Sequence, residues 1–134
     1  MKSIAKMTRK LAVTCVALLL VVSAFFFNAS EASADTISIK MGGTKGLVFE
    51  PAIATIKAGD TVTWTVNALP PHNVQFNKIP GDAALAASLS HKGLEGKGKS
   101  FSVTFPADAP AGEYNYFCMP HRGAGMVGKI VVAG

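Results

Sequence analysis

Between Thr36 and Val132 the chain repeatedly alternates polar and apolar residues, and this period of two restricts the fold more than any other feature. Thr61-Val62-Thr63-Trp64-Thr65-Val66 is the clearest case, with Val62, Trp64 and Val66 on one face. The same pattern marks Thr36–Met41, Ile53–Lys57, Phe101–Phe105, Gly112–Cys118 and Gly128–Val132, while Leu47–Phe49 and Asn73–Phe76 are shorter extended runs. Gly and Pro punctuate these runs at Gly42-Gly43, Pro51, Gly59, Pro70-Pro71, Gly93–Lys99 and Pro106–Pro110. A half-buried strand has to cover its apolar face with another layer, so about seven or eight such strands imply an all-β sandwich. Asp82–Leu89, rich in Ala and Leu, is the one place for a helix, of a turn or two. Trp64 is read as a core anchor without chemistry.

Residues 1–34 have another character. Lys2, Lys6, Arg9 and Lys10 precede an apolar run from Leu11 to Phe27, and small residues then end in Ala32-Ser33-Ala34. A basic start, an apolar core and an A-x-A site describe a secretory signal peptide, cut between Ala34 and Asp35. An uncleaved anchor is the alternative, because the apolar run is near the upper limit for a signal core. Removal leaves residues 35–134, enough for one domain with one core. The whole chain carries +5, but the mature part has nine Lys and Arg against seven Asp and Glu, a net +2. That excess is too small for a nucleic-acid binder and suits steering toward a moderately acidic protein.

The mature part keeps a single cysteine, Cys118, in an exported chain where an unpaired thiol is a liability. It lies in Tyr116-Phe117-Cys118-Met119-Pro120-His121-Arg122-Gly123-Ala124-Gly125-Met126, which spaces thiol, imidazole and thioether as Cys-x2-His-x4-Met. A fourth donor, His72, follows Pro70-Pro71 in a loop that the prolines stiffen. Two imidazoles, a thiolate and a weak thioether lie between what Cu(I) and Cu(II) each prefer, so these residues imply one copper ion cycling between the two states. Pro120 and the Gly123/Gly125 pair suit a tight turn that does not rearrange when the charge changes. Asn73, beside His72, is placed to hydrogen-bond backbone near the cysteine. His91 has no neighbouring donor and reads as a surface histidine. Two other classes compete: a thiol hydrolase using Cys118 and His121 as nucleophile and base, and a non-redox copper-binding or storage module. The first suffers from poor loop geometry and the lack of an orienting carboxylate. No enzymatic activity is expected.

Residues Tyr114 to Val131, above all Pro120-His121-Arg122-Gly123-Ala124-Gly125-Met126-Val127-Gly128-Lys129, resemble the plastocyanin signature of the cupredoxin superfamily nearly letter for letter. Pro71-His72-Asn73-Val74, Leu47-Val48-Phe49-Glu50-Pro51 and Lys57-Ala58-Gly59-Asp60-Thr61-Val62 are similar too, and Leu89-Ser90-His91-Lys92 looks like the cyanobacterial branch. The resemblance implies the Greek-key β-sandwich of the cupredoxins and a monomeric type 1 copper protein that carries electrons from cytochrome f to photosystem I by transient contacts in the thylakoid lumen. It would be peripheral to the membrane, with the periplasm as the alternative compartment. It implies His72, Cys118, His121 and Met126 as copper ligands. It also implies a docking patch of Leu47, Pro71, Pro120, Gly123 and Ala124, with Arg122 as a basic contact. Two positions depart from the pattern: Phe117 stands where Tyr is usual, and Met119 where a polar residue is common. A pseudoazurin-like periplasmic donor shares the loop spacing and is the nearest rival.

Overall fold

The computed structural model describes residues 33–134, so the leader expected for residues 1–34 falls almost wholly outside it. In chain order the elements are β1 (Thr36–Gly43), β2 (Gly46–Glu50), β3 (Ile53–Ile56), β4 (Thr61–Val66), β5 (His72–Lys78), α1 (Ala83–Leu89), β6 (His91–Glu95), β7 (Ser100–Thr104), β8 (Gly112–Phe117) and β9 (Val127–Val132). They form two sheets, ordered β2-β1-β4-β7 and β3-β9-β8-β5-β6. In each sheet one pair is parallel, β1 with β4 and β3 with β9, and the remaining pairs are antiparallel. The all-β sandwich expected from the alternation is therefore present.

The alternation explains the core. Val62, Trp64 and Val66 turn inward from β4 and are buried. On the other face Thr61, Thr63 and Thr65 pair with Thr104, Ser102 and Ser100 of β7, each through a hydroxyl–hydroxyl contact of 2.8 Å. This ladder of cross-strand hydrogen bonds satisfies the outer face, so the strand needs no covering layer there. Between the sheets, Trp64 meets the ring of Tyr116 edge-on with centroids 5.6 Å apart, and Phe49 meets the same ring at 4.7 Å. Gly128, opposite Tyr116 across β8 and β9, leaves the room that ring occupies.

The helix at Ala83–Leu89 starts where Asp82 accepts a hydrogen bond from the Leu85 N–H at 2.8 Å, an ordinary N-cap. One element was not legible. Gly93–Lys99 reads as a loop, yet His91–Glu95 forms a ninth strand on the edge beside β5. Its Gly and Lys content opposes strand formation, and pairing with a strong neighbour overrides that local preference.

Asp60 ties the β1 start to the turn before β4. Its carboxylate accepts from the N–H of Asp35 at 2.9 Å and of Lys57 at 2.8 Å, and the residue is almost fully buried. The N–H of Lys57, then that of Asp35, hold its carboxyl below the usual carboxylate range, while burial works against them. Because the folded value is the lower one, the contribution is complete above the unfolded value and is lost as pH falls through the folded one. The window therefore begins at about pH 4 and extends below it. Asp60→Asn should cost about 1–3 kcal/mol at pH 7, since one buried N–H loses its acceptor. Urea unfolding at pH 7 and pH 3 checks this: the gap between wild type and variant should narrow at pH 3, and a constant gap would contradict the assignment.

Candidate metal centre

His72 opens β5, Cys118 directly follows β8, and Met126 directly precedes β9. Because β5 and β8 run antiparallel, with Gln75 opposite Phe117, the start of one lies at the end of the other. The β8–β9 pair, with Phe117 opposite Val127, brings the whole 118–126 loop to the same edge. Residues 46 positions apart thus share one end of the sandwich.

Three donor atoms converge there. Cys118 Sγ lies 3.5 Å from His72 Nδ1 and 3.5 Å from His121 Nδ1, and the two nitrogens are 3.2 Å apart. The point equidistant from all three is about 2 Å from each, the length of a metal–imidazole bond. Among the described residues this is the one cluster of three such donors, and it contains no carboxylate. Two nitrogens and one sulfur in a near-equilateral triangle fit copper in the trigonal His2Cys arrangement. Met126 is fully buried beside it: its carbonyl accepts from Cys118 N–H at 3.1 Å, and its N–H donates to the His121 carbonyl at 3.2 Å.

The surroundings fix each donor. His72 Nε2–H donates to the Ala68 carbonyl at 2.7 Å, and since a carbonyl can only accept, the Nδ1 lone pair is left facing the site. Ala68 is itself anchored, its N–H donating to the Met41 carbonyl at 3.3 Å. Gly42 passes so close that a Cβ there would fall 2.0 Å from the Ala68 oxygen. Leu69, next in the chain, has φ of 57° and is the one non-glycine in the left-handed region among the described residues. In the 118–126 loop, His121 N–H donates to Cys118, Ala124 N–H to His121 and Gly125 N–H to Arg122. Of the two glycines expected to permit this turn, only Gly125 is left-handed, with φ of 82°. Asn73 joins the loops: its Oδ1 accepts from Met119 N–H at 2.8 Å, and its Nδ2 donates to the Lys92 carbonyl at 3.2 Å.

Burial pushes the Cys118 thiol up, although the backbone N–H groups of Asn73 and His121 oppose it. Burial, then the neighbouring His72, pushes His121 down. Both shifts favour neutral groups, so the thiol gives up its proton when a metal enters.

Of the expected docking residues, Pro71, Pro120, Arg122, Gly123 and Ala124 are exposed, while Leu47 is half-buried against the core. Met119 is 51 % exposed, beside the cysteine. Phe117 is not an open aromatic face: the Arg122 guanidinium carbon sits 4.2 Å over its ring. Sequence reasoning missed Gly42, the Ala68 and Lys92 carbonyls and Leu69. Gly42-Gly43 was a visible signal but reads equally as a turn, and a carbonyl acceptor has no signature in side chains. His91, expected to be a surface histidine with no neighbouring donor, is half-buried and bonds Glu95 at 2.8 Å.

Residues 35–133 match the model of the family described as copper binding proteins, plastocyanin/azurin family. The chain is 50 % identical over 139 residues to a plastocyanin of Nostoc punctiforme, covering all of both chains. Among solved structures, oxidised plastocyanin from Dryopteris crassirhizoma superposes with a TM-score of 0.62 at 26 % identity, covering 72 % of this chain and 99 % of that one. A pseudoazurin from Methylobacterium extorquens AM1 gives 0.56 at 30 % identity, over 74 % and 76 % of the chains. These similarities and the His72–Cys118–His121 triangle next to Met126 together indicate one type 1 copper ion. The chain belongs to the plastocyanin/azurin family of copper-binding proteins, as a type 1 copper electron carrier.

Proposed function

We propose that the protein carries single electrons from cytochrome f to photosystem I in the thylakoid lumen, without catalysing a bond-making reaction. Residues 1–34 would serve as the leader that brings it there. His72, Cys118 and His121 would hold the copper in their triangle, with Met126 as the weak fourth ligand. Copper so held supplies a one-electron couple. The task of the chain is to keep the donors from moving as the charge changes, and the knitted 118–126 loop and the Ala68 bond to His72 serve that purpose.

One observation carries the reading of how electrons pass. His72 and Cys118 are fully buried, whereas His121 is only half-buried and lies among exposed Pro71, Pro120, Gly123 and Ala124. A partner pressed on that face would be separated from the site by one imidazole ring. Leu47, at the margin, would add apolar surface. Arg122 is exposed and makes no ion pair among the described residues, which leaves its charge free for an acidic partner. Support for the choice of partners comes from the full-length similarity to a plastocyanin, which exceeds the 30 % identity to pseudoazurin.

Arg122→Glu tests it. Reduction of photosystem I should slow by about tenfold or more at low ionic strength and by much less at high salt, where a screened charge contributes little. Equal slowing under both conditions would assign Arg122 to packing over Phe117 and remove it from docking.

A further inference from the structure

The pairing of β5 with β6 is irregular at the metal site. His72 stands opposite Glu95 and Val74 opposite His91, so the three residues Lys92, Gly93 and Leu94 face Asn73 alone. Such a bulge breaks the ladder and re-aims the side chains beside it. Here it leaves the Lys92 carbonyl without a ladder partner, and Asn73 Nδ2 takes it at 3.2 Å. The same Asn73 holds the Met119 N–H on its Oδ1 at 2.8 Å, between Cys118 and His121.

The bulge is itself closed by a side-chain bond. His91 Nε2–H donates to Glu95 Oε1 at 2.8 Å, joining the two residues that flank it. The bond lies directly over Gly93, where an added Cβ would be 3.2 Å from His91 Nε2. The His91 ring is further held from the other sheet: it stacks on Phe101 at 3.9 Å between centroids and 12° between planes. Phe101 in turn stacks on the core Trp64 at 5.7 Å. This is a fixed support, more elaborate than a solvated edge strand needs.

We propose that the His91–Glu95 pair is a positioning device for the metal loop. By closing the bulge it sets the Lys92 carbonyl, which orients Asn73, which in turn holds Met119 and the span between the two loop donors. Neither side chain bonds a donor atom; Glu95 lies opposite His72 in the ladder, and the bond between the two side chains acts on the loop through Asn73. The reduction-potential part of the test rests on the copper reading, and the exchange part does not.

His91→Phe keeps a ring on Phe101 but removes the bond to Glu95, and Glu95→Ala removes it from the other side. In each, the Met119 amide should exchange with solvent about tenfold faster than in the parent protein, as expected for loss of one net hydrogen bond in a local opening. Amides of Tyr114 and Ile130, deep in the sheet, should keep their rates. The double variant should match the single ones, because both cut the same bond. In the copper-loaded protein both variants should shift the reduction potential in the same direction. Unchanged Met119 exchange in both variants, a rise shared equally by the sheet amides, or additive effects would each overturn the proposal. A parent protein without the copper–thiolate band would count against the copper reading alone, since the exchange result is obtained equally on copper-free protein.

Discussion

Cys118→Ser is expected to abolish the intense visible band of the copper-loaded protein and to weaken copper binding by more than about 100-fold, because loss of a mere outer partner of a ligand already costs about 10–100-fold. The cysteine supplies the one anionic corner of the triangle, since the other two corners are imidazole nitrogens 3.5 Å away on either side. A serine oxygen is harder, and at neutral pH it stays protonated. It therefore gives neither the charge nor the soft donor that copper in this arrangement requires. The fold should persist, because Ser is smaller than Cys and can still hydrogen-bond to either imidazole. Titration with Cu(II) followed by visible absorption, together with Cu(I) competition against a chelator, reads both effects. A variant that kept the band would remove Cys118 from the ligand set.

Gly42→Ala should be the most damaging small change outside the donors. Gly42 has φ of 72°, which by itself costs a non-glycine residue about 1–2 kcal/mol. The new methyl would also meet the Ala68 oxygen at 2.0 Å, and that oxygen is the acceptor for His72 Nε2–H at 2.7 Å. Backbone has to move, so a further cost of about 1–3 kcal/mol is expected. Gly46→Ala provides the comparison: its φ is 92°, but nothing lies within 4 Å of the added carbon. It should show the conformational cost alone, about 1–2 kcal/mol. Urea unfolding of the two variants separates clash from strain, and equal losses would mean that the loop yields to the methyl. Displacement of the carbonyl should also disturb the copper spectrum in Gly42→Ala and leave it intact in Gly46→Ala.

The parts of this protein that were legible are those encoded by local pattern. The alternation in Thr61–Val66 reappears as Val62, Trp64 and Val66 in the core and three threonines on the outer ladder. The Ala- and Leu-rich run after Asp82 became the helix. The Cys-x2-His-x4-Met spacing, with His72 after its prolines, led to three donors that the structure gathers within 4.8 Å. Where reading failed, the deciding partner was distant and contributed backbone. Nothing in His91-Lys92-Gly93-Leu94-Glu95 favours a strand until β5 lies beside it. Nothing about Phe117 indicates that Arg122 covers its ring.

By itself the sequence determined the class of fold, the chemical nature of the site and the loop that bears it, because side-chain period and donor identity are properties of short stretches of chain. Only the tertiary structure decided how the donors are held. The Ala68 carbonyl that orients His72, the passage of Gly42 against it, and the Asn73 link from Met119 to Lys92 join segments from four parts of the chain. Backbone N–H and C=O groups are the same at every position, so a site built on them is visible only once the strands have set which of them meet.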